Sequence, residues 1–258
     1  MSSNSNSENT NVIQRKDNGW KAVITTIMDI LPESVGNYNK STICSGLVDK
    51  STFVTQVRKS DTLILTTNKN SKTPLGFFLL NLKKCERNLI CGSGNNTAKS
   101  HVAQGEQLLR DKGCRIVRLE SLYTAIPFHV DFGYIFDFKK IIEILKHQLS
   151  DIFGKIVLNS GQPSAEDDHF LDYKVLPYIK TNRRNIVDEN REAGDYDFPY
   201  GDVDDGRVKN PVVLYIATVI SNTNKQVLKK NGISSDDLQS FIHQVLGGVY
   251  PMYKRLNE

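Results

Sequence analysis

The chain has 258 residues, 39% of them hydrophobic and 24% charged, a balance that suits one or two folded domains and excludes a wholly disordered polymer. Thirty-three Lys and Arg stand against 29 Asp and Glu, and a net charge of +4 does not by itself point to nucleic acid. No apolar run approaches the roughly 20 residues of a membrane span, and the first residues lack the apolar core of a secretory signal, so neither membrane nor secretion is expected.

Residues 1–17 are rich in Ser and Asn without hydrophobic period and read as a solvated, disordered arm. Gly19–Leu31 spaces Trp20, Val23, Ile24, Ile27, Ile30 and Leu31 for a helix that Pro32 ends. Phe53–Val57, Thr62–Thr66 and Leu75–Leu82 are short β-branched or aromatic runs that predict strands, with a hairpin turn at Asn68–Ser71. Glu86–Cys91 is a further apolar strand. It opens into Gly92-Ser93-Gly94-Asn95-Asn96, and a helix over Ala98–Lys112 follows, with Gly113 just past its end. Arg115–Glu120 alternates like a half-buried strand. Ser121–Val130 reads as a short helix interrupted by Pro127, and Phe132–Phe138 as a last strand.

Residues 139–152 form an amphipathic pattern. Residues 160–209 are dense in Asp and Glu and read as a long loop, in which Asp195–Asp205 lacks the register of a calcium loop. Lys180–Arg184 is a basic spot without aromatic interleaving, so nucleic acid is not an expected partner. Asn210–Leu246 reads as two helices. Pro211 begins the first, Asn231-Gly232 separates them, and Ser234 or Ser235 caps the second. The four cysteines, Cys44, Cys85, Cys91 and Cys114, form no CxxC and have no histidine at zinc-ligand spacing. Reduced thiols in a cytoplasmic setting are therefore expected, with Cys91 a buried structural thiol and no metal site.

The chemistry concentrates in Leu89–Tyr134, where a strand end feeds a small-residue loop and then a helix N-terminus, which favours an anion. This succession resembles the acyl-CoA-binding half of the GNAT superfamily of N-acetyltransferases, especially versions from large DNA viruses of protists. The resemblance spans roughly residues 50–138. It implies an α+β fold: a mixed, mostly antiparallel sheet flanked by helices, over residues 18–138, with a C-terminal helical extension over 139–258.

The family's Gly-x-Gly/Ala falls on Asn96-Thr97-Ala98, and His129 occupies the place of its catalytic Tyr. The resemblance implies an acyl-CoA co-substrate, acetyl-CoA in the first instance. Leu89, Ile90, Cys91, Asn96, Thr97, Ala98, Lys99 and Ser100 would hold it. An amine of a small molecule or a protein would attack the thioester, with Glu86 or Glu120 as base and His129 as acid. The alternative is a GNAT-like scaffold without catalysis, such as a virion component. There the C-terminal helices would make virion or homo-oligomer contacts, in the host cytoplasm or the particle.

Overall fold

The computed structural model describes residues 8–34, 43–46, 48–92, 95–122, 125–137, 139–141, 143–145, 211–246 and 249–256. The fold is α+β, with seven mostly antiparallel strands and flanking helices. The chain divides into two units, Met1–Leu119 with Arg255–Glu258, and Glu120–Lys254.

In the first unit the elements run β1 (Glu8–Gln14), α1 (Trp20–Ile30), a 3₁₀ turn (Ile43–Gly46), α2 (Lys50–Lys59), β2 (Thr62–Asn68), β3 (Pro74–Asn81), β4 (Glu86–Gly92), α3 (Asn95–Asp111) and the start of β5 (Ile116–Leu122). The strand order is β1-β2-β3-β4-β5, antiparallel except for the β4–β5 pair. Alternate residues of β2 and β3 fill opposite faces. Leu63, Leu65, Phe77 and Leu79 pack with Trp20 and Ile27 of α1, Phe53 and Val57 of α2, and Ile43 and Cys44 of the 3₁₀ turn. On the other face Thr66 bonds to His101 of α3, and Phe78 lies against Gly105 of α3.

A methyl group on Gly105 would stand 2.3 Å from the Phe78 ring, so α3 approaches β3 more closely than any side chain at 105 permits. Gly113, at φ +86°, ends α3, with its own amide bonded to Arg110 and the next to Leu109.

The second unit holds the end of β5, then α4 (Ile126–Asp131), β6 (Ile135–Phe136), helical residues at 139–141 and 143–145, α5 (Pro211–Lys230), α6 (Ser235–Leu246) and β7 (Val249–Arg255). β7 lies between β5 and β6 and is antiparallel to β6. Gly232, at φ +66°, closes α5. Ser234 caps α6: its hydroxyl accepts from the Asp237 amide, and the Asp237 carboxylate accepts from the Ser234 amide and hydroxyl. Those bonds hold the Asp237 pKa below its usual value. Among the described residues no helix is long and apolar enough to cross a membrane.

Four expectations are corrected. Residues 8–14, read as part of a disordered arm, form β1 along β2, and the adjoining Arg15 donates to the Val57 carbonyl. Residues 53–57, read as a strand, lie inside α2. The Asp49 carboxylate caps that helix at the Thr52 amide, and Phe53 and Val57 fall one turn apart on its buried face. Pro127 sits in the first turn of α4 and starts a helix instead of interrupting one. The C-terminal segment, read as helical, ends in β7. The acidic loop at 160–209, with Lys180–Arg184 and Asp195–Asp205, lies outside the described residues.

Candidate functional site

Strand β4 begins beside β5 and then parts from its ladder. The parallel register covers Glu86↔Arg118 and Arg87↔Leu119. At the next residue β4 bulges: Leu80 of β3 faces Arg87 and Leu79 faces Leu89, which leaves Asn88 as the extra residue. A bulge bends its strand and breaks the regular ladder. Its side chain fixes it in place. Asn88 Nδ2 donates to Ser60 Oγ at 2.7 Å, and that hydroxyl donates to the Gln56 carbonyl of α2 at 2.7 Å. Asn88, Leu89 and Ile90 are half-buried, although β4 stands between two other strands.

The far end of β4 meets α3. Gly76 of β3 faces Gly92 of β4. A Cβ at Gly76 would lie 2.8 Å from Thr97 Cγ2, 2.9 Å from the Cys91 carbonyl oxygen and 3.0 Å from His101 Cε1. Gly76 therefore lets the first two turns of α3 settle on the strand end. The helix starts at Asn95, three residues earlier than its sequence pattern suggests. Asn96, Thr97, Ala98, Lys99 and Ser100 thus lie in its opening turns and not in a loop. Thr97 is buried, while Lys99 and Ser100 are exposed. The amides of the first turn have no partner within the helix, and no acidic residue stands in that turn to neutralise them.

Beneath this end lies a hydroxyl–imidazole chain that sequence reasoning missed. Thr10 Oγ1 and Thr66 Oγ1 are 2.8 Å apart, and Thr66 Oγ1 is 2.8 Å from His101 Nε2. His101 is fully buried, and its Nδ1 has no partner. An orphaned acceptor is less costly than an orphaned N–H, so Nε2 carries the proton and donates to Thr66. Burial lowers the His101 pKa to about 4, which keeps the ring neutral at pH 7. The available signal was the four-residue spacing of Thr97 and His101 along the buried face of α3.

All four cysteines are paired, which overturns the expectation of reduced thiols. Cys44 of the 3₁₀ turn is bonded to Cys91 at the end of β4, and Cys85, just before β4, to Cys114, just after α3. Strand β4 is thereby tied covalently at both ends. Cys91 remains structural, but as half of a disulfide, and it offers no thiolate. Sequence separations of 47 and 29 residues leave no local mark of such pairing.

The structure brings Glu86, Leu89, Ile90, Cys91 and Asn96–Ser100 into the first unit, and Glu120 and His129 into the second. Glu86 opens β4, half-buried, opposite Asn81 and Arg118. Glu120 is exposed on β5. His129, 7% exposed, packs edge-on against Phe128 at 5.3 Å and Tyr134 at 6.1 Å. Among the described residues no three His, Cys, Asp or Glu side chains gather to hold a metal ion. No family model, curated protein or solved structure matches the chain.

Proposed function

We propose that the chain is an acyl-CoA-dependent N-acyltransferase of GNAT-like fold, with acetyl-CoA as the first candidate donor and an amine of a small molecule or protein as acceptor. One observation carries the reading. The β4–β5 ladder ends at Arg87↔Leu119, the bulge at Asn88 follows at once, and Asn88, Leu89 and Ile90 are half-buried. A strand with one ladder flank released offers backbone amides and carbonyls to an extended, amide-bearing arm such as pantetheine. The opening amides of α3, with Lys99 beside them, suit a diphosphate.

In this reading Leu89, Ile90 and Cys91 engage the pantetheine through their backbones, and Asn96–Ser100 receive the diphosphate. The acceptor nitrogen attacks the thioester carbonyl, the N–C bond forms and the C–S bond breaks. A base removes the proton from nitrogen, the role the GNAT resemblance gives Glu86 or Glu120, and an acid protonates the departing thiolate, the role it gives His129. Backbone N–H groups of β4 stabilise the oxyanion that forms between these steps.

A second reading, the same scaffold without catalysis, is favoured by the near-complete burial of His129 against Phe128 and Tyr134.

Ligand-dependent stability separates the two. A CoA thioester at 100 times its Kd stabilises the protein by about 2.7 kcal/mol. No stabilisation by CoA, acetyl-CoA or longer acyl-CoAs would remove the transferase reading. With turnover in hand, His129→Ala lowers kcat more than it raises KM, and an unchanged kcat would remove His129 from the mechanism.

A further inference from the structure

The chain's modest net charge conceals a local concentration. The Cys85–Cys114 bridge, with Cα atoms 5.7 Å apart, welds the turn Lys83-Lys84-Cys85 to the connection Lys112-Gly113-Cys114-Arg115. The end of α2 joins them: Asn81 Nδ2 donates to the Lys59 carbonyl at 2.6 Å. Lys59, Lys83, Lys84, Lys112 and Arg115 are all exposed. Three carboxylates, Asp61, Asp111 and Glu86, neighbour these five cations and are outnumbered by them. Asp61 accepts from the amides of Leu82 and Lys83, Asp111 accepts from Gln107, and Glu86 stands opposite Arg118 across the β4–β5 ladder. Lys59 and Lys112 complement the C-terminal dipoles of α2 and α3. Lys83, Lys84 and Arg115 belong to connections, where no helix end explains them.

We propose that this disulfide-braced ridge binds the phosphate backbone of duplex nucleic acid without regard to sequence. The large hydrophobic residues that are exposed among those described, Val12, Ile30 and Leu122, all lie on other elements. The ridge therefore offers no apolar wedge for a bilayer and no aromatic platform for stacking single-stranded bases. A cluster of exposed cations on segments joined by the bridge instead suits the regular phosphates of a duplex. This inference does not depend on the transferase reading.

The test is binding of the full chain to a 20-base-pair duplex of random sequence, followed by fluorescence anisotropy at several salt concentrations. Five phosphate contacts give a slope of log K against log salt of about −4.5, a loss of roughly 500-fold between 50 and 200 mM. The triple variant Lys83→Glu, Lys84→Glu, Lys112→Glu weakens binding at least tenfold and flattens the slope to about −2. The control Lys21→Glu, Lys69→Glu, Lys72→Glu makes the same change in net charge elsewhere and leaves affinity within a factor of three. Circular dichroism verifies folding, and the Lys→Gln triple at the ridge positions replaces the Glu triple if charge reversal unfolds the chain. Absence of duplex binding at 50 mM salt overturns the proposal. Equal loss in ridge and control variants does so too, as does preference for single strands or for phosphatidylserine vesicles.

Discussion

Removing the Cys44–Cys91 bridge by the double change Cys44→Ala, Cys91→Ala tests the covalent anchoring of β4. The bridge closes 47 residues, a span that includes α2, β2, β3 and most of β4. In the chain-entropy model, opening a loop of that length returns about 13–14 cal/mol/K to the unfolded chain, or about 4 kcal/mol at 25 °C. The bridge over 29 residues gives about 3.6 kcal/mol by the same relation. Urea unfolding followed by tryptophan fluorescence reads the right region, because the single tryptophan, Trp20, lies in the same buried cluster as Cys44 and Cys91. With a urea dependence of about 1–3 kcal/mol/M, the midpoint falls by more than 1 M. Treating the unaltered chain with a dithiol lowers the midpoint further, because both bridges open. A double variant within 0.5 kcal/mol of the parent would refute the reasoning, and so would alkylation of four free thiols in the untreated protein.

Three further outcomes follow from particular contacts. His101 is neutral in the fold with a pKa of about 4 but binds a proton below about pH 6.5 when unfolded, so the unfolded state takes up more protons between these values and stability falls as pH drops through that window. The loss is about 2 kcal/mol between pH 7 and pH 5. It shrinks in His101→Gln, leaving the smaller share of half-buried His243, whose pKa burial also lowers; equal pH profiles for parent and variant would contradict this. Gly105→Ala gains about 1 kcal/mol of helix propensity but drives a methyl into Phe78, so urea unfolding shows a net loss of roughly 1–2 kcal/mol, and a more stable variant would contradict the close approach. Asn88→Ala breaks the bond to Ser60 Oγ, costs about 1 kcal/mol and speeds amide exchange at 88–92; unaltered exchange would mean that the bulge is held by something else.

Much of the candidate site was legible because its signals are local. The hydrophobic period of α1, the hairpin of β2 and β3, and the succession of strand and helix from Glu86 to Gly113 follow from spacing and turn chemistry. The errors arose where tertiary contacts decide. β1 is mostly polar and becomes a strand because β2 offers an edge and Thr66 a hydroxyl for Thr10. Phe53 and Val57 looked like strand residues because their branched and aromatic side chains favour β structure, whereas the Asp49 cap and the buried face of α2 outweigh that propensity. The disulfides, the neutral buried His101 and the Asn88 bulge join residues far apart in sequence. The basic ridge was hidden for the same reason, since summed charge averages over the cations that Cys85–Cys114 gathers.

Strand β4 beyond Arg87, together with the opening of α3, is the proposed acyl-CoA site. Hydrogen–deuterium exchange of the full chain with and without saturating acetyl-CoA tests this most directly. Protection confined chiefly to residues 88–92 and 95–100 is the predicted result. Unchanged exchange in both segments, or protection only elsewhere in the chain, would contradict it.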